Sequence, residues 1–297
     1  MIQNIDLIRK LPPTKSVIAN ANNSITINSA KQATEIGLIE PTLVGDEAFI
    51  QSEAEKLKWQ LGSLSVVNAR DEAESAHISC KLAKNDQISL IIKGHMHTDI
   101  LMSEYIKSEH SLRLKKGRLS HIWFITFQGN ERGPIIITDG ALNIKPSLET
   151  KKSIISNVIN FVSKVKNFDP KIAILSATEE ILDQIESSSD AEKLTEWCEK
   201  TFPDQKIFGP LAFDNAISKD AALIKGISNP VAGNANIIIV PNIETGNALV
   251  KIMVNFMNSI AGGFIVGGKV PVVITSRSDN IESRLSSISN AILSIDN

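Results

Sequence analysis

The stretch VPVVITSRSDN, residues 270–280, sets an arginine between two serines at the end of an apolar run. Arg277 carries a planar guanidinium that stays protonated and can grip a phosphate through two parallel hydrogen bonds. Ser276 and Ser278 flank it with short hydroxyls, and Asp279 follows. Beyond them runs an apolar stripe of Ile281, Leu285, Ile288, Ile292 and Ile295, whose spacing is helical. The stripe predicts a helix that starts near Asp279, with Asp279 at the N-cap and Glu282 completing a capping box. Arg277 then stands beside the positive end of the helix dipole, which is unfavourable unless an anion is shared between them. A helix N-terminus with an arginine fork and serine hydroxyls suits phosphate. An arginine on a surface loop has the same sequence signature.

Other candidates offer less chemistry. His95 and His97 form an HxH pair at a strand end. A metal there would need a third ligand, and spacing supplies none; polar contacts around a helix start at Thr98 and Asp99 explain them equally. No GxSxG, GxGxxG or Walker pattern occurs. Ser276 is therefore not read as a triad nucleophile, and no nucleotide fingerprint is read. Cys80 lies among Ile78, Leu82 and Ala83 and reads as a small core residue.

These residues need a scaffold, and the chain alternates in a way that supplies one. Strand-like runs at KSVIAN, PTLVGD, LSVVNA and QISLIIKG are each followed by a helical pattern, at 29–38, 46–59, 71–84 and 99–108. Two strand-like runs, LSHIWFITF and GPIIITDG, then come with no helix between them. A helical stretch over 147–168 follows, and the alternation resumes at KIAILSA, KIFGPLAF, NIIIV and VPVVIT. This rhythm predicts an α/β fold around a mainly parallel sheet. The break at the paired strands predicts a domain crossing. Residues 1–135 with 262–297 are expected to form one α/β domain, and 136–261 a second.

Composition excludes some classes. Net charge is −2 and aromatic residues make up 5% of the chain, so neither a basic surface nor stacking platforms argue for nucleic acid. No run approaches membrane-spanning length, and the opening MIQNIDLIRKLPPTKS has no signal-peptide core. Two distant cysteines fit a reducing cytoplasm.

Longer segments carry a resemblance. GPLAFDNA, NPVAGNANIIIVPNIETGNALVK and VVITSRSDN resemble the phosphate acetyl/butyryltransferases in order and separation. IGLIEPTLVGD, KGHMHTD, GRLSHIWF and ITDGALNI agree in the first half, and the HTD and RLSH segments look closer to the butyryltransferase branch. The resemblance implies reversible transfer of a short acyl group between coenzyme A and inorganic phosphate, with acyl-CoA and acyl phosphate as the acyl carriers. It implies two α/β domains of the isocitrate/isopropylmalate dehydrogenase kind, an active-site cleft between them, and a homodimer or higher homo-oligomer. No tightly bound cofactor and no metal are expected, and CoA is a substrate. The family's Ser-Arg pair falls on Ser276 and Arg277. Its acidic base falls best on Glu282, with Asp279 as the neighbouring alternative. Ser278, Thr98, Asp214, Asn229, Asn242 and Asn247 fall in the same motifs as expected substrate-binding residues. Asn242 and Asn234 stand where family members usually carry acids, which leaves a non-catalytic CoA or acyl-phosphate binding relative as the alternative. A decarboxylating dehydrogenase of the same fold would need metal-binding aspartates and a nicotinamide site, and no pattern supplies either.

Overall fold

The computed structural model describes residues 8, 10–114, 117–127, 129, 133–275 and 279–295. In chain order the elements are β1 (Thr14–Ala19), α1 (Ser24–Glu35), β2 (Ile39–Gly45), α2 (Glu47–Lys56), β3 (Val66–Asn68), α3 (Glu72–Lys84), β4 (Leu90–Lys93) and α4 (Thr98–Tyr105). A 3₁₀ turn (Ser108–His110), β5 (Ser120–Phe127), β6 (Ile135–Thr138), α5 (Leu148–Val162), β7 (Lys171–Leu175), α6 (Glu186–Thr201) and β8 (Lys206–Leu211) follow. The remainder is α7 (Phe213–Ile217), α8 (Lys219–Ile224), β9 (Ile237–Ile239), α9 (Ile243–Phe256), β10 (Ser259–Val266), β11 (Val272–Val273) and α10 (Ile281–Ser294). The fold is α/β, and its sheet is mixed. Among the described residues no helix is long and apolar enough to cross a membrane.

The chain divides into two compact units, 1–119 with 262–297 and 120–261. The expected first boundary, after residue 135, would have parted β5 from β6. These strands are bonded antiparallel, with Trp123 opposite Ile137, and lie in one unit.

In the first unit the strand order is β3-β2-β1-β4-β11-β10. All these neighbours run parallel except β10 and β11. Asn23, Asp46 and Asp71 cap α1, α2 and α3 by accepting backbone amides in their first turns. The Asn23 cap starts α1 five residues before the apolar pattern suggested. In the second unit the order is β5-β6-β9-β7-β8, parallel beyond β6. Its core joins Ile137, Ala173, Leu175, Leu211, Ile238 and Val240.

Two sequence expectations change. The pattern after KIFGPLAF predicts one helix over 214–225, but two form, because Ser218 is extended (φ −111°, ψ 119°) and its hydroxyl accepts the Ala221 amide to start α8. β10 had no counterpart in the pattern, since SIAGGFIV carries two central glycines. Packing accounts for Gly262: a Cβ there would meet the backbone of Ser286 and Ser287 in α10 at 2.9 Å.

Candidate active site

Strand order reverses direction at β1 and β4 in the first unit, and in open α/β sheets such a switch point opens a crevice at the carboxyl ends of the strands. Ala19 and Lys93, the last residues of β1 and β4, are paired in register. Val273 of β11 pairs with Ile92 on the other side of β4. A pocket of about 90 Å³ lies at these strand ends, lined by Asn23, Ile25, Thr26, Lys93, Gly94, His95, Thr275 and Arg284.

Two cations line it, and both are buried, Lys93 to 6% exposure and Arg284 to 7%. Lys93 Nζ donates to the Met96 carbonyl at 2.9 Å and to that of Gly94 at 3.4 Å. Arg284 Nη1 donates to Thr275 Oγ1 at 3.1 Å, and its Nε to the Asp279 carbonyl at 3.2 Å. Burial pulls the Arg284 pKa down while the Asp279 carboxylate pulls it up; a guanidinium stays protonated regardless. None of the lining residues is acidic. The two cations give this small pocket a positive lining, which suits an anion, and Asp279 is a carboxylate that acts on one of them.

The backbone at the switch point is closely fitted. Gly94 N donates to the Ala19 carbonyl and His95 N to that of Asn20, each at 2.8 Å. The Asn20 side-chain amide donates back to the His95 carbonyl. A Cβ on Gly94 would lie 2.3 Å from the Asn20 carbonyl oxygen, so only glycine passes here.

Ser276, Arg277 and Ser278 lie outside the described residues. The residues around them correct one expectation. Asn280, not Asp279, is the N-cap of α10, and its Oδ1 accepts the Ser283 amide at 2.8 Å. Glu282 is therefore the second helical residue, one short of the position from which a capping box closes. Capping accounts for neither acid. Asp279 is half-buried and Glu282 exposed. Thr98 begins α4 and is half-buried. His97 binds Glu72 through its amide (2.9 Å) and Nδ1 (3.2 Å), while His95 is exposed.

The remaining expected residues fall in the second unit. Asn242 caps α9, accepting the Thr245 amide at 3.0 Å and its hydroxyl at 2.7 Å. An aspartate would cap equally well, so asparagine here keeps the cap and removes a negative charge. Asn242 and Thr245 line a pocket of about 430 Å³ of mixed character, with Lys145, Lys151, Ser176 and Ser187 beside Leu175 and Pro241. Both lysines are paired, Lys145 with Glu186 and Lys151 with Asp190. Asn247 Nδ2 donates to the Gly140 carbonyl at 3.4 Å. Asn229 Oδ1 accepts the Val231 amide in a turn, and Asp214 is exposed in the first turn of α7. Asn234 uses its amide to donate to the Ala232 carbonyl at 3.2 Å, a bond a carboxylate cannot make. Of these four expected residues, Asn242 alone lines that pocket.

Lys93 and Arg284 were missed in the sequence. Lys93 ends an apolar strand inside the KGHMHTD motif, where a charge is out of place. Arg284 stands beside the stripe residue Leu285 and reads as a solvated helix face.

The family described as "Phosphate acetyl/butaryl transferase" matches residues 111–292. The phosphate acetyltransferase of Rhizobium meliloti is 37% identical, over 95% of this chain and 89% of the relative. The phosphate butyryltransferase of Clostridium beijerinckii is 31% identical, over 96% of this chain and 94% of the relative. Among solved structures, a branched-chain phosphotransacylase from Enterococcus faecalis V583 is similar with a TM-score of 0.79 and 32% identity, over 95% of this chain and 98% of that one. Sequence, fold and relatives agree over most of the length, and this chain belongs to the phosphate acetyl/butyryltransferase family.

Proposed function

We propose that this chain transfers a short acyl group, acetyl to butyryl, with Ser276, Arg277 and one acid, Glu282 or Asp279, as its catalytic residues. The chain is an acyltransferase, and its reaction is reversible acyl transfer between CoA and phosphate. The observation that carries the residue assignment is the switch-point pocket. Lys93 and Arg284 line it beside Thr275, one residue before Ser276. A phosphate held there would meet two buried cations, and Arg277 follows Thr275 by two residues in the sequence.

The chemistry has two difficulties. A thiol with a pKa of ~8.5 is only a few per cent thiolate near neutrality, so a carboxylate must take its proton. The acyl phosphate is anionic and repels the thiolate. Arg277 and the pocket cations offset that charge, and Ser276 donates a hydrogen bond to the phosphate or to the oxyanion that develops at the carbonyl. The thiolate attacks the carbonyl carbon, the carbon–oxygen bond to phosphate breaks, and phosphate leaves with the bonding pair. In reverse, phosphate attacks the thioester and CoA leaves.

No cysteine is required. Burial pushes the thiols of Cys80 and Cys198 up to about 12, which removes both as nucleophiles. Ser278, Thr98, Asp214, Asn229, Asn242 and Asn247 are assigned to substrate binding on the same reading. It extends to a cytoplasmic enzyme with a two-domain architecture that works as a homodimer. Phe256 at 86% exposure and Ile252, one turn earlier on α9, support the dimer with an exposed apolar face. The test is CoA release from acetyl-, propionyl- and butyryl-CoA. Release that requires phosphate supports transfer. Binding of acyl-CoA without phosphate-dependent release would leave a non-catalytic binding protein.

A further inference from the structure

We infer that His77, Glu104, Glu109 and His110 form a binding site for a divalent transition-metal ion of the zinc class, separate from the acyl-transfer residues. His77 projects from α3, Glu104 from the last turn of α4, and Glu109 and His110 from the 3₁₀ turn behind it. His77 Nδ1 stands 2.9 Å from Glu104 Oε1, and His110 Nε2 stands 2.6 Å from that same oxygen. Glu109 Oε1 is 3.6 Å from His110 Nε2. One donor atom from each of the four residues lies within 4.8 Å of all the others.

Two imidazole nitrogens and two carboxylate oxygens are a zinc donor set. With bonds of ~2.0–2.2 Å, tetrahedral ligand atoms sit on the order of 3.4 Å apart. The separations here bracket that value, so small side-chain rotations suffice to admit an ion. Lys107 holds the other oxygen of Glu104, Oε2, at 2.6 Å. That contact turns Oε1 toward both rings, as outer partners do for ligating carboxylates. The charges also suit an ion. With both rings neutral, as metal ligation requires, two carboxylates and one ammonium sum to one negative charge, which a divalent ion offsets.

A simpler arrangement competes. Glu104 accepts from His77, His110 and Lys107 and is satisfied as a hydrogen-bond hub without any ion. The hub does not use Glu109, the neighbour of His110 in the chain, which brings a second carboxylate to within 3.6 Å of the same nitrogen and supplies a fourth ligand. His110 and Glu104 are buried, while His77 and Glu109 are exposed and leave an entry path. Bound there, the ion would tie α3 to the end of α4. Tyr105, next to Glu104, donates its hydroxyl to the Val270 carbonyl at 2.7 Å, so the staple would adjoin the approach to β11.

The test uses untagged full-length protein stripped with a chelator. It is titrated with zinc chloride at mildly alkaline pH against a chromophoric chelator, and the metal retained after gel filtration is counted. About one zinc per chain is expected. His77→Ala and Glu109→Gln change exposed side chains and should fold normally by circular dichroism, yet weaken zinc binding about tenfold or more. Cobalt should give the visible d–d bands of a tetrahedral site in the parent protein and lose them in both variants. A parent protein that retains no zinc, or variants that bind it as tightly, would overturn the site and leave the hydrogen-bond hub.

Discussion

Thr275 accepts a bond from Arg284 one residue before the Ser-Arg-Ser segment, so the pocket's own cation reaches the edge of that segment. Arg277→Gln removes the guanidinium but not the pocket, and turnover should fall ~10²–10³-fold, as for loss of one oxyanion donor. Arg277→Lys should fail comparably, because a point charge does not reproduce a planar fork. Near-normal rates in either folded variant, measured as phosphate-dependent CoA release, would remove Arg277 from the mechanism. The two acids can be separated more cleanly than their spacing promised. Asn280 does the capping, so Glu282→Gln at an exposed site should shift stability by no more than ~0.5 kcal/mol. If Glu282 is the base, that variant loses ~10²–10⁴ in rate when CoA attacks acyl phosphate. High pH, which supplies thiolate without a base, should restore part of it. Asp279→Asn should then keep its rate. The reverse result moves the base to Asp279, and two active variants place the acid elsewhere.

At the scale of elements, α10 shows what could be read in advance and what could not. Its stripe announced a helix, and Leu285, Ile288 and Ile292 are buried as the period requires. Ser286, Ser287, Ser289 and Asn290 lie off that stripe, yet all four are buried too. The reason lies in a different part of the chain: Gly263 N donates to Ser287 Oγ at 2.9 Å, and Gly262 brings β10 onto the helix backbone. Small polar residues against a glycine strand form an interface that hydropathy does not register. Alternation gave the β/α order, and the helical patterns over 46–59 and 71–84 begin at the residues that cap α2 and α3, Asp46 and Asp71. The pocket itself was not legible: Lys93 and Arg284 became neighbours only through the fold, and the serine–arginine segment that the sequence singled out lies outside the described residues. Gly94 tests how tightly the strand order is held. Gly94→Ala forces a methyl against two backbone carbonyls, and neither can swing away. It should cost ~1–3 kcal/mol by denaturant melting and depress turnover in the folded fraction. A neutral variant would mean that the strand ends are looser than drawn.

For the molecule as a whole, acid sensitivity has an identifiable source. His121 is buried in β5 against Trp123, and neither ring nitrogen has a partner among the described residues. Burial pulls its pKa below the ordinary 6.5, and Asp139 opposes this only in part. The folded state therefore keeps the ring neutral while the unfolded chain takes up a proton. Stability conferred by the neutral ring is present above pH 6.5 and drains away as pH falls below it, by at most ~1.4 kcal/mol per pH unit. His121→Leu should flatten the dependence of the urea midpoint on pH between 7 and 5. An unchanged slope would show that other groups carry it. The return of residues 262–297 to the first unit has another consequence, one of timing. β4 ends at Lys93, but its neighbour β11 does not begin until Val272. At ~5–20 residues per second of synthesis, that edge of β4 waits on the order of 10–40 s for its partner. Through that interval the nascent chain carries a bare strand flank, open to adventitious pairing. Thr275 and Arg284 line the same pocket as Lys93 yet are made long after it, so the pocket cannot close before that flank of β4 is covered.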